Sequence, residues 1–380
     1  MSVSRPFVLF EDGREGSHAL LFASPEEIIV AREAEEVPTA FTRMEAASKR
    51  GLHLAGYASY ELGYALEPKF RAQTTPKSPA PLLLFGAFRE PRPFALAAQT
   101  EAFAPIALSP AWSAAEYAER FARCRDYIFA GDVYQINLTF PLRGRFEGDA
   151  LSFYAALRRR QPVAFGGVVA LGDETDVSLS PEVFFEATAR VDGARIIRAR
   201  PMKGTARRGF LPPEDMARAK HLSEDEKSRA ENLMIVDLLR NDLSRLAEVG
   251  SVRVTDLFTV QTYPTLHQMT SGIEARLREG VGLAQLFAGL FPCGSVTGAP
   301  KIRAMEIIRD LECAPRGVYC GALGVISPSG EMRFNVAIRT LTILGDGDLV
   351  CNVGSAIVAD SSAREEYEEC LIKARFLTGA

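Results

Sequence analysis

Short apolar runs that stop at turn-forming residues occupy both ends of the chain, and they constrain the fold more than any other feature of the sequence. Near the start, residues 7–10 and 27–30 are bounded by Gly, Pro, Ser and acidic residues. Near the end, residues 319–327, 334–344 and 349–354 form three similar runs joined by glycine-containing segments. Runs of this length and setting predict β-strands, and none is long enough to cross a membrane. Sheet strands are therefore expected at both ends of the chain.

Helices are predicted at several points along the sequence. Residues 38–50 end at a glycine, and residues 301–311 follow a proline that suits a first helical turn. Ser-x-x-Glu sequences, in which each side chain accepts a hydrogen bond from a backbone N–H group of the other residue, predict helix starts at Ser113, Ser223 and Ser362. The second of these is expected to open a long helix.

The composition limits the kinds of function. The chain has 380 residues, 47% of them hydrophobic and 24% charged, which suits one large globular domain or two smaller ones. A net charge of −4 argues against nucleic acid as a partner. The six cysteines and four histidines lack the spacing of a disulfide framework or a zinc site. The first residues lack the apolar run of a signal peptide, so a cytoplasmic protein without membrane partners is predicted.

A basic segment around Lys203 is the first candidate for chemistry. Pro201 excludes a helix or a central strand, and Gly204 allows the backbone to turn. Lys203 is thus predicted on a short non-helical segment with four arginines nearby. Crowded cations would lower the pKa of a lysine, favour its nucleophilic neutral amine and attract an anionic substrate. A solvated basic loop is the alternative, and the segment alone does not decide between them.

Acidic side chains in two predicted helices are candidates for binding a metal ion. Glu231 has apolar residues at i+3, i+4 and i+7, so it lies on a face that is expected to be buried and needs a partner there. A ligand or a structural ion pair would supply one, and both interpretations remain open. Glu366, Glu369 and Lys373 share one face of the last helix. Oxygen ligands of this kind suit Mg²⁺.

Two predicted strands carry polar side chains in unusual places. Arg339 lies in an otherwise apolar strand, where a guanidinium is costly unless it meets an anion. On an earlier strand, Gln135, Asn137 and Thr139 share one face. That face is either simply hydrated or in contact with a ligand.

Taken together, these segments resemble the chorismate-utilising enzymes, and the resemblance runs from about residue 113 to the end of the chain. That family has an α+β fold like that of anthranilate synthase component I, with two packed antiparallel sheets flanked by helices. Residues 1–110 are expected to form a sub-domain that adds strands to the fold of a catalytic domain, residues 111–380. The motifs that carry the resemblance are Ser180-Pro181-Glu182, residues 231–242, residues 297–301, Tyr319-Cys320-Gly321, Ile338-Arg339-Thr340 and residues 357–361.

The resemblance implies roles for individual residues. Lys203 is implied to be a covalent nucleophile and Glu182 a general acid. Glu231, Glu366 and Glu369 are implied to hold Mg²⁺. Substrate contacts are implied for Gln135, Gly204, Thr205, His267, Tyr319, Arg339, Gly354 and Lys373.

Two positions indicate which reaction of the family is expected. Family members that add water to chorismate carry lysine where this chain has Gln135, and anthranilate synthases carry alanine where it has Lys203. The chain therefore resembles the aminodeoxychorismate synthase component I branch, which converts chorismate and ammonia to 4-amino-4-deoxychorismate. Anthranilate synthase component I is the alternative. Because the sequence shows no Cys-His-Glu glutaminase domain, ammonia is expected from a separate glutaminase subunit.

Two other interpretations fit the sequence less well. An enzyme that uses Lys203 to form a Schiff base with a carbonyl substrate would leave the acidic pair without a role. A non-catalytic subunit that only binds a glutaminase would not need Lys203, Glu182, Glu231 and Glu369 together.

Overall fold

The structure is a computed structural model that describes residues 3–13, 18–70, 78–96, 104–163, 165–190, 193–263 and 266–378. The strands before residue 182 are β1 (Phe7–Asp12), β2 (His18–Ala23), β3 (Glu27–Ala31), β4 (His53–Ala58), β5 (Leu83–Phe88), β6 (Arg92–Phe94), β7 (Ser109–Pro110), β8 (Gln135–Arg145), β9 (Phe165–Ala170) and β10 (Thr175–Ser180). The later strands are β11 (Val183–Ala189), β12 (Arg195–Arg200), β13 (Met202–Arg207), β14 (Arg253–Thr262), β15 (Leu266–Arg276), β16 (Gly298–Ala299), β17 (Ala322–Ile326), β18 (Met332–Asn335), β19 (Thr340–Ile343) and β20 (Asp348–Ile357).

The helices lie mostly between these strands in the chain. They are α1 (Val37–Lys49), α2 (Leu62–Leu66), α3 (Ala114–Phe129), α4 (Ala150–Arg160), α5 (Pro212–Glu224), α6 (Glu226–Ser244), α7 (Leu283–Leu290), α8 (Lys301–Leu311), α9 (Ala363–Lys373) and α10 (Arg375–Thr378). In the described part of the chain, none of them has the length and apolar character that crossing a bilayer would require.

The strands form two antiparallel sheets. The first has the order β16-β8-β20-β19-β10-β9-β1-β2-β6, and β7 also pairs with β8. The second has the order β13-β15-β12-β11-β18-β17-β4-β5-β3, and β14 also pairs with β15. Strands from the first hundred residues thus extend both sheets, through β1 on β9 and β4 on β17. Residues 97–103, near the end of the predicted sub-domain of residues 1–110, lie outside the described residues.

The two sheets pack face to face through alternating side chains. Val8 of β1 belongs to the same buried cluster as Ala55 and Tyr57 of β4, which lies in the other sheet. The neighbouring Phe7 and Leu9 instead pack on the outer face of the first sheet, with residues of α4 and α10. This two-residue period is what a strand buried on both faces requires. Each large apolar side chain buried in this way stabilises the fold by about 1.5–3 kcal/mol.

Helices cover the outer face of the second sheet. The ring of Phe287 in α7 lies 5.5 Å from that of Phe41 in α1 and 5.3 Å from that of Phe334 in β18. These contacts belong to a large cluster that also includes residues of α3, α6 and α8. The predicted arrangement of two packed antiparallel sheets flanked by helices is confirmed.

The chain passes from one sheet to the other at two neighbouring points. Residues 181–182 lead from β10 in the first sheet to β11 in the second, and residues 336–339 lead from β18 in the second sheet to β19 in the first. The prediction of one strand over residues 334–344 is therefore wrong, because the backbone leaves the sheet and Arg339 takes a φ of 50°. The Ser180 hydroxyl donates to the Val336 carbonyl at 2.6 Å, which ties the two crossings together.

The predicted helix starts have different outcomes. The Ser113 box is confirmed at the start of α3. The box at Ser223 is wrong, because Ser223 already lies inside α5, and α6 is capped by Asp225, whose carboxylate accepts from the Ser228 N–H at 2.8 Å. Ser362 does precede α9, but its side chain makes no capping bond.

Candidate active site

A cavity of about 570 Å³ lies where the two sheet crossings meet α6 and α9, and this volume suits a small-molecule ligand. Most of the residues predicted to bind the substrate, to bind the metal or to act in catalysis line this cavity. They are Glu182, Lys203, Gly204, Thr205, Glu231, Tyr319, Arg339, Gly354, Glu366, Glu369 and Lys373.

Lys203 lies at an irregularity in β13. The pairing register shifts between Met202 and Thr205, so Lys203 and Gly204 together face a single residue of β15. Gly204 has a φ of 80°, which a residue with a side chain rarely adopts. Next to it, the amide of Gln268 donates to the Gly204 carbonyl at 2.7 Å. The lysine is thus held on a fixed bulge of the sheet.

The pKa of Lys203 is lowered, as the sequence predicted, but for a different reason. Burial is the main cause of the lowered pKa, and the positive charge of Lys373 lowers it further. The negative charge of Glu231 acts in the opposite direction and raises the pKa. The crowding by arginines is wrong as an explanation, because three of the four are neutralised by acids of their own. The pairs are Arg198 with Glu274, Arg200 with Asp256 and Arg208 with Asp215.

Glu182 follows Pro181 in the first sheet crossing. It is buried, and its Oε1 has no hydrogen-bond partner among the described residues. Burial raises the pKa of Glu182 to about 7, against opposing effects of Ser295 and Lys203. A carboxyl group with this pKa still carries a proton near neutral pH, which is what a general acid needs.

Arg339 lies in the second sheet crossing and faces the same cavity. Its guanidinium makes no ion pair or hydrogen bond with a described residue, and burial lowers the pKa of Arg339 to about 10. A half-buried guanidinium without a partner is costly, so this group is positioned for an anion that enters the cavity.

Two helices, α6 and α9, bring carboxylates to the cavity lining. Glu231 on α6 has no ion pair with a described residue, and Arg240, further along the same helix, pairs with Asp237 at 2.9 Å. On α9, Glu369 Oε1 lies 2.7 Å from Lys373 Nζ. The ligand interpretation of Glu231 is therefore favoured over the structural ion pair.

The third acid, Glu366, has an internal partner as well. The Ser361 hydroxyl donates to Glu366 Oε1 at 2.7 Å. Across the described ranges, no three acidic, histidine or cysteine side chains converge into a ready-made metal cluster. Mg²⁺ usually takes only one or two protein carboxylates and completes its shell with substrate and water oxygens. Carboxylates on two walls of one cavity fit that chemistry.

Two of the predicted substrate contacts lie outside the cavity lining. Gln135 is fully buried in β8, and neither polar atom of its amide has a partner among the described residues. His267 is buried in β15, with Nε2 2.8 Å from Asp215 Oδ1 and Nδ1 2.9 Å from Thr262 Oγ1. The polar face of β8 is buried, and Asn137 is its member that lines the cavity.

Comparison with known proteins agrees with this geometry. The family model for chorismate binding enzymes matches residues 5–379, almost the whole chain. The chain belongs to the chorismate-binding enzymes.

Relatives of this chorismate-binding enzyme have several activities. Aminodeoxychorismate synthase component 1 of Klebsiella aerogenes is 42% identical over 286 residues, which cover 73% of this chain and 61% of that protein. The protein of the same name from Salmonella typhimurium is 41% identical over 273 residues, covering 71% and 59%. Anthranilate synthase component 1 of Aquifex aeolicus is 38% identical over 265 residues, covering 70% and 52%. The matched region thus spans about three fifths of the first two relatives.

Solved structures share the fold. Anthranilate synthase component I from Streptococcus pneumoniae has a TM-score of 0.81 at 23% identity, covering 100% of this chain and 93% of that one. A putative 2,3-dihydroxybenzoate-specific isochorismate synthase from Bacillus anthracis has a TM-score of 0.77 at 18% identity, covering 97% and 94%.

Several cavity residues of this chorismate-binding enzyme carry no prediction from sequence. Lys227 precedes Glu231 by four residues on α6, so helical spacing is a signal that could have found it. Ser295, by contrast, comes from an irregular segment whose position no local pattern gives. Other polar residues that line the cavity include Gln268, Asn352 and Ser361.

Arg316 builds one wall of the cavity without lining it. Its guanidinium donates to the carbonyls of Val296 at 2.8 Å and Asn137 at 2.7 Å, and Asn352 Nδ2 donates to the Arg316 carbonyl at 3.1 Å. All three partners line the cavity. Glu312 neutralises Arg316 at 2.7 Å, and both side chains are almost fully buried. The pair joins β8, β20 and the segment after α7.

Proposed function

We propose that this chorismate-binding enzyme is component I of an aminodeoxychorismate synthase, which converts chorismate and ammonia to 4-amino-4-deoxychorismate. The observation that carries the proposal is that Lys203 and Glu182 line one cavity and that burial favours the neutral form of both side chains. Burial lowers the pKa of Lys203 and raises the pKa of Glu182 to about 7. Both shifts favour the neutral forms, a nucleophilic amine and a proton-donating carboxyl group.

In the first half of the reaction, Lys203 Nζ attacks C2 of the chorismate ring. The ring double bonds shift, and the bond from C4 to its hydroxyl breaks. Glu182 gives its proton to the departing hydroxyl, which leaves as water, and then takes a proton from the new lysine–carbon linkage. The buried, partly unpartnered carboxyl group of Glu182 supports this exchange.

In the second half, ammonia attacks C4. The double bonds shift back, the bond between C2 and the Lys203 nitrogen breaks, and the departing amine takes a proton from Glu182. Glu182 then regains a proton from the ammonium group formed at C4. The pyruvyl ether stays on the ring, so a separate lyase would be needed to make 4-aminobenzoate. Ammonia would come from a glutaminase subunit, and the component 1 names of the relatives support such a partner.

Binding of the substrate carboxylates falls to the cations of the cavity. Arg339, which lacks a partner, and Lys373 supply positive charge, and the Tyr319 hydroxyl and the Gly354 backbone complete the contacts. Mg²⁺ bound by Glu231 and Glu369, with Glu366 nearby, would neutralise the ring carboxylate of chorismate.

The test is product identification. The protein is incubated with chorismate, an ammonium salt and Mg²⁺, and the products are separated by liquid chromatography and identified by mass. The proposal predicts 4-amino-4-deoxychorismate, which an added aminodeoxychorismate lyase converts to 4-aminobenzoate. Anthranilate as the main product would overturn the proposal and favour the anthranilate synthase alternative, which the Aquifex aeolicus relative represents.

A further inference from the structure

Lys373 links two sites that the proposed function treats separately. Its Nζ lies 2.7 Å from Glu369 Oε1 and donates to the Gly354 carbonyl at 2.8 Å. Glu369 is a proposed metal ligand, whereas Lys373 and Gly354 are proposed contacts of a substrate carboxylate. One ammonium group therefore stands between the metal ligands and the substrate.

We propose that Lys373 is the internal counter-ion of the metal site and that it couples metal binding to substrate binding. This inference rests on the proposed function, because it takes Glu369 as a metal ligand and Lys373 as a carboxylate contact. In the free protein, Lys373 neutralises Glu369 and competes with a divalent cation for that carboxylate. A substrate carboxylate that binds Lys373 draws the ammonium group away and leaves Glu369 to the metal.

The partners of the acids on α9 support this competition. Glu366 is held by the Ser361 hydroxyl and Glu369 by Lys373, so each has an internal partner. Glu231, on α6, has no ion pair with a described residue.

The ion pair is also able to exchange partners. The side chains of Lys373 and Glu369 are 42% and 54% exposed, and pairs with this exposure are weak because water competes for both charges. Coupling between two ligands is reciprocal in free energy. If the substrate tightens metal binding through Lys373, the metal must tighten substrate binding by the same factor.

A matched pair of variants separates this role from a general charge effect. Lys373→Met removes the cation that faces Glu369. Arg364→Met removes a cation of the same helix that lies outside the cavity lining and, among the described residues, pairs with Glu368 at 3.8 Å. Lys373→Arg keeps the positive charge and serves as the conservative variant. Circular dichroism melting checks that each variant is folded.

The experiment measures Mn²⁺ binding by the electron paramagnetic resonance of free Mn²⁺, with and without chorismate, in ammonia-free buffer. Without chorismate, Lys373→Met is expected to bind Mn²⁺ about fivefold more tightly than the wild-type protein, because a competitor and a repulsive charge are gone. Chorismate is expected to tighten Mn²⁺ binding in the wild-type protein, in Arg364→Met and in Lys373→Arg. In Lys373→Met the tightening is expected to be smaller, because only the direct contact between the ring carboxylate and the metal remains.

The outcomes distinguish this inference from the proposed function. Equal or weaker Mn²⁺ binding by Lys373→Met, or equal coupling to chorismate in Lys373→Met and the wild-type protein, overturns the inference and leaves the metal site intact. A wild-type protein that binds no Mn²⁺ in either condition overturns both the inference and the metal site of the proposed function.

Discussion

Gly204 lies so close to Ser228 that a Cβ atom added at Gly204 would come within 2.7 Å of the Ser228 Cβ. This contact holds β13, which carries Lys203, against α6, which carries Glu231. The distance between the proposed nucleophile and the proposed metal ligand is therefore set by a residue without a side chain.

Gly204→Ala is expected to impair both stability and activity. The φ of 80° alone costs about 1–3 kcal/mol for a residue with a side chain, and the contact with Ser228 must in addition push β13 away from α6. Gly250→Ala is the matched control, because Gly250 has a φ of 78° and open space around its Cβ position. Both variants should lower the melting temperature, but only Gly204→Ala should lose turnover of chorismate. Full turnover by Gly204→Ala would contradict the account.

The pH dependence of activity should follow Glu182. Because burial raises the pKa of Glu182 to about 7, the proton needed by the leaving hydroxyl is lost as the pH rises above that value. The rate constant kcat/KM for chorismate should then fall about tenfold per pH unit. Glu182→Gln should lower the rate about a hundredfold or more and abolish this limb of the profile. A limb that persists in Glu182→Gln would assign it to another group.

The same shift predicts a pH dependence of stability. The folded-state pKa of Glu182 is raised above the usual 4.5, so its stabilising contribution is full below about 4.5 and is lost as the pH rises through about 7. Because the pKa values of Glu61 and Asp176 are also raised to about 7, only a difference isolates Glu182. Urea titrations give the free energy of unfolding of the wild-type protein and of Glu182→Gln at each pH. The difference, wild type minus variant, should decrease as the pH rises from about 5 to about 8. A constant difference would contradict the raised pKa.

The residues near Lys203 show what sequence could and could not predict. The non-helical segment of Lys203, the acid after Pro181 and the helical face of Glu231 follow from local patterns, since proline, glycine and helical spacing act over a few residues. The sheet crossing at Arg339 does not, because residues 336–338 are as apolar as a strand interior and the turn appears only when both sheets are present.

Competition between local patterns explains another error. Ser223 and Asp225 are both suitable helix caps, and the earlier helix that begins at Pro212 already includes Ser223, so Asp225 caps α6. The positions of Gln135 and His267 outside the cavity lining depend on how strands β8 and β15 pack against distant elements. Such packing is decided by tertiary contacts that no window of sequence contains.

Arg339→Gln should separate binding from stability. A partly buried guanidinium without a partner is costly, so its replacement should raise the free energy of unfolding. We expect a gain of about 1 kcal/mol, at the low end of the cost of an unsatisfied buried polar group, because water in the cavity still reaches the guanidinium. The same replacement removes a carboxylate contact and should raise the KM for chorismate about tenfold or more. Arg198→Gln, which breaks an exposed pair with Glu274, is the control and should leave KM unchanged. An unchanged KM in Arg339→Gln would remove Arg339 from substrate binding.

The pair of Arg316 and Glu312 should dominate the stability of the cavity wall. Arg316→Met leaves Glu312 buried without its cation and is expected to cost about 3–5 kcal/mol of unfolding free energy. The double variant Arg316→Met with Glu312→Met should recover much of that loss, because the unpaired charge is gone, but not the KM, because Val296 and Asn137 lose their donor. Urea denaturation measures the free energy of unfolding, and steady-state kinetics measure the KM, for the wild-type protein, both single variants and the double variant. Additive losses in the double variant would contradict the pairing.

The covalent state of Lys203 during turnover shows whether this lysine is the nucleophile. The protein is mixed with chorismate and Mg²⁺ without ammonia, quenched with acid and analysed by intact mass and by peptide mapping. The account predicts a mass increase of one chorismate less one water on the peptide that contains Lys203, absent in Lys203→Ala and lost when ammonium is added before the quench. A wild-type protein that forms 4-amino-4-deoxychorismate with ammonium, but never carries this mass and is matched in turnover by Lys203→Ala, would contradict the role of Lys203 as the nucleophile.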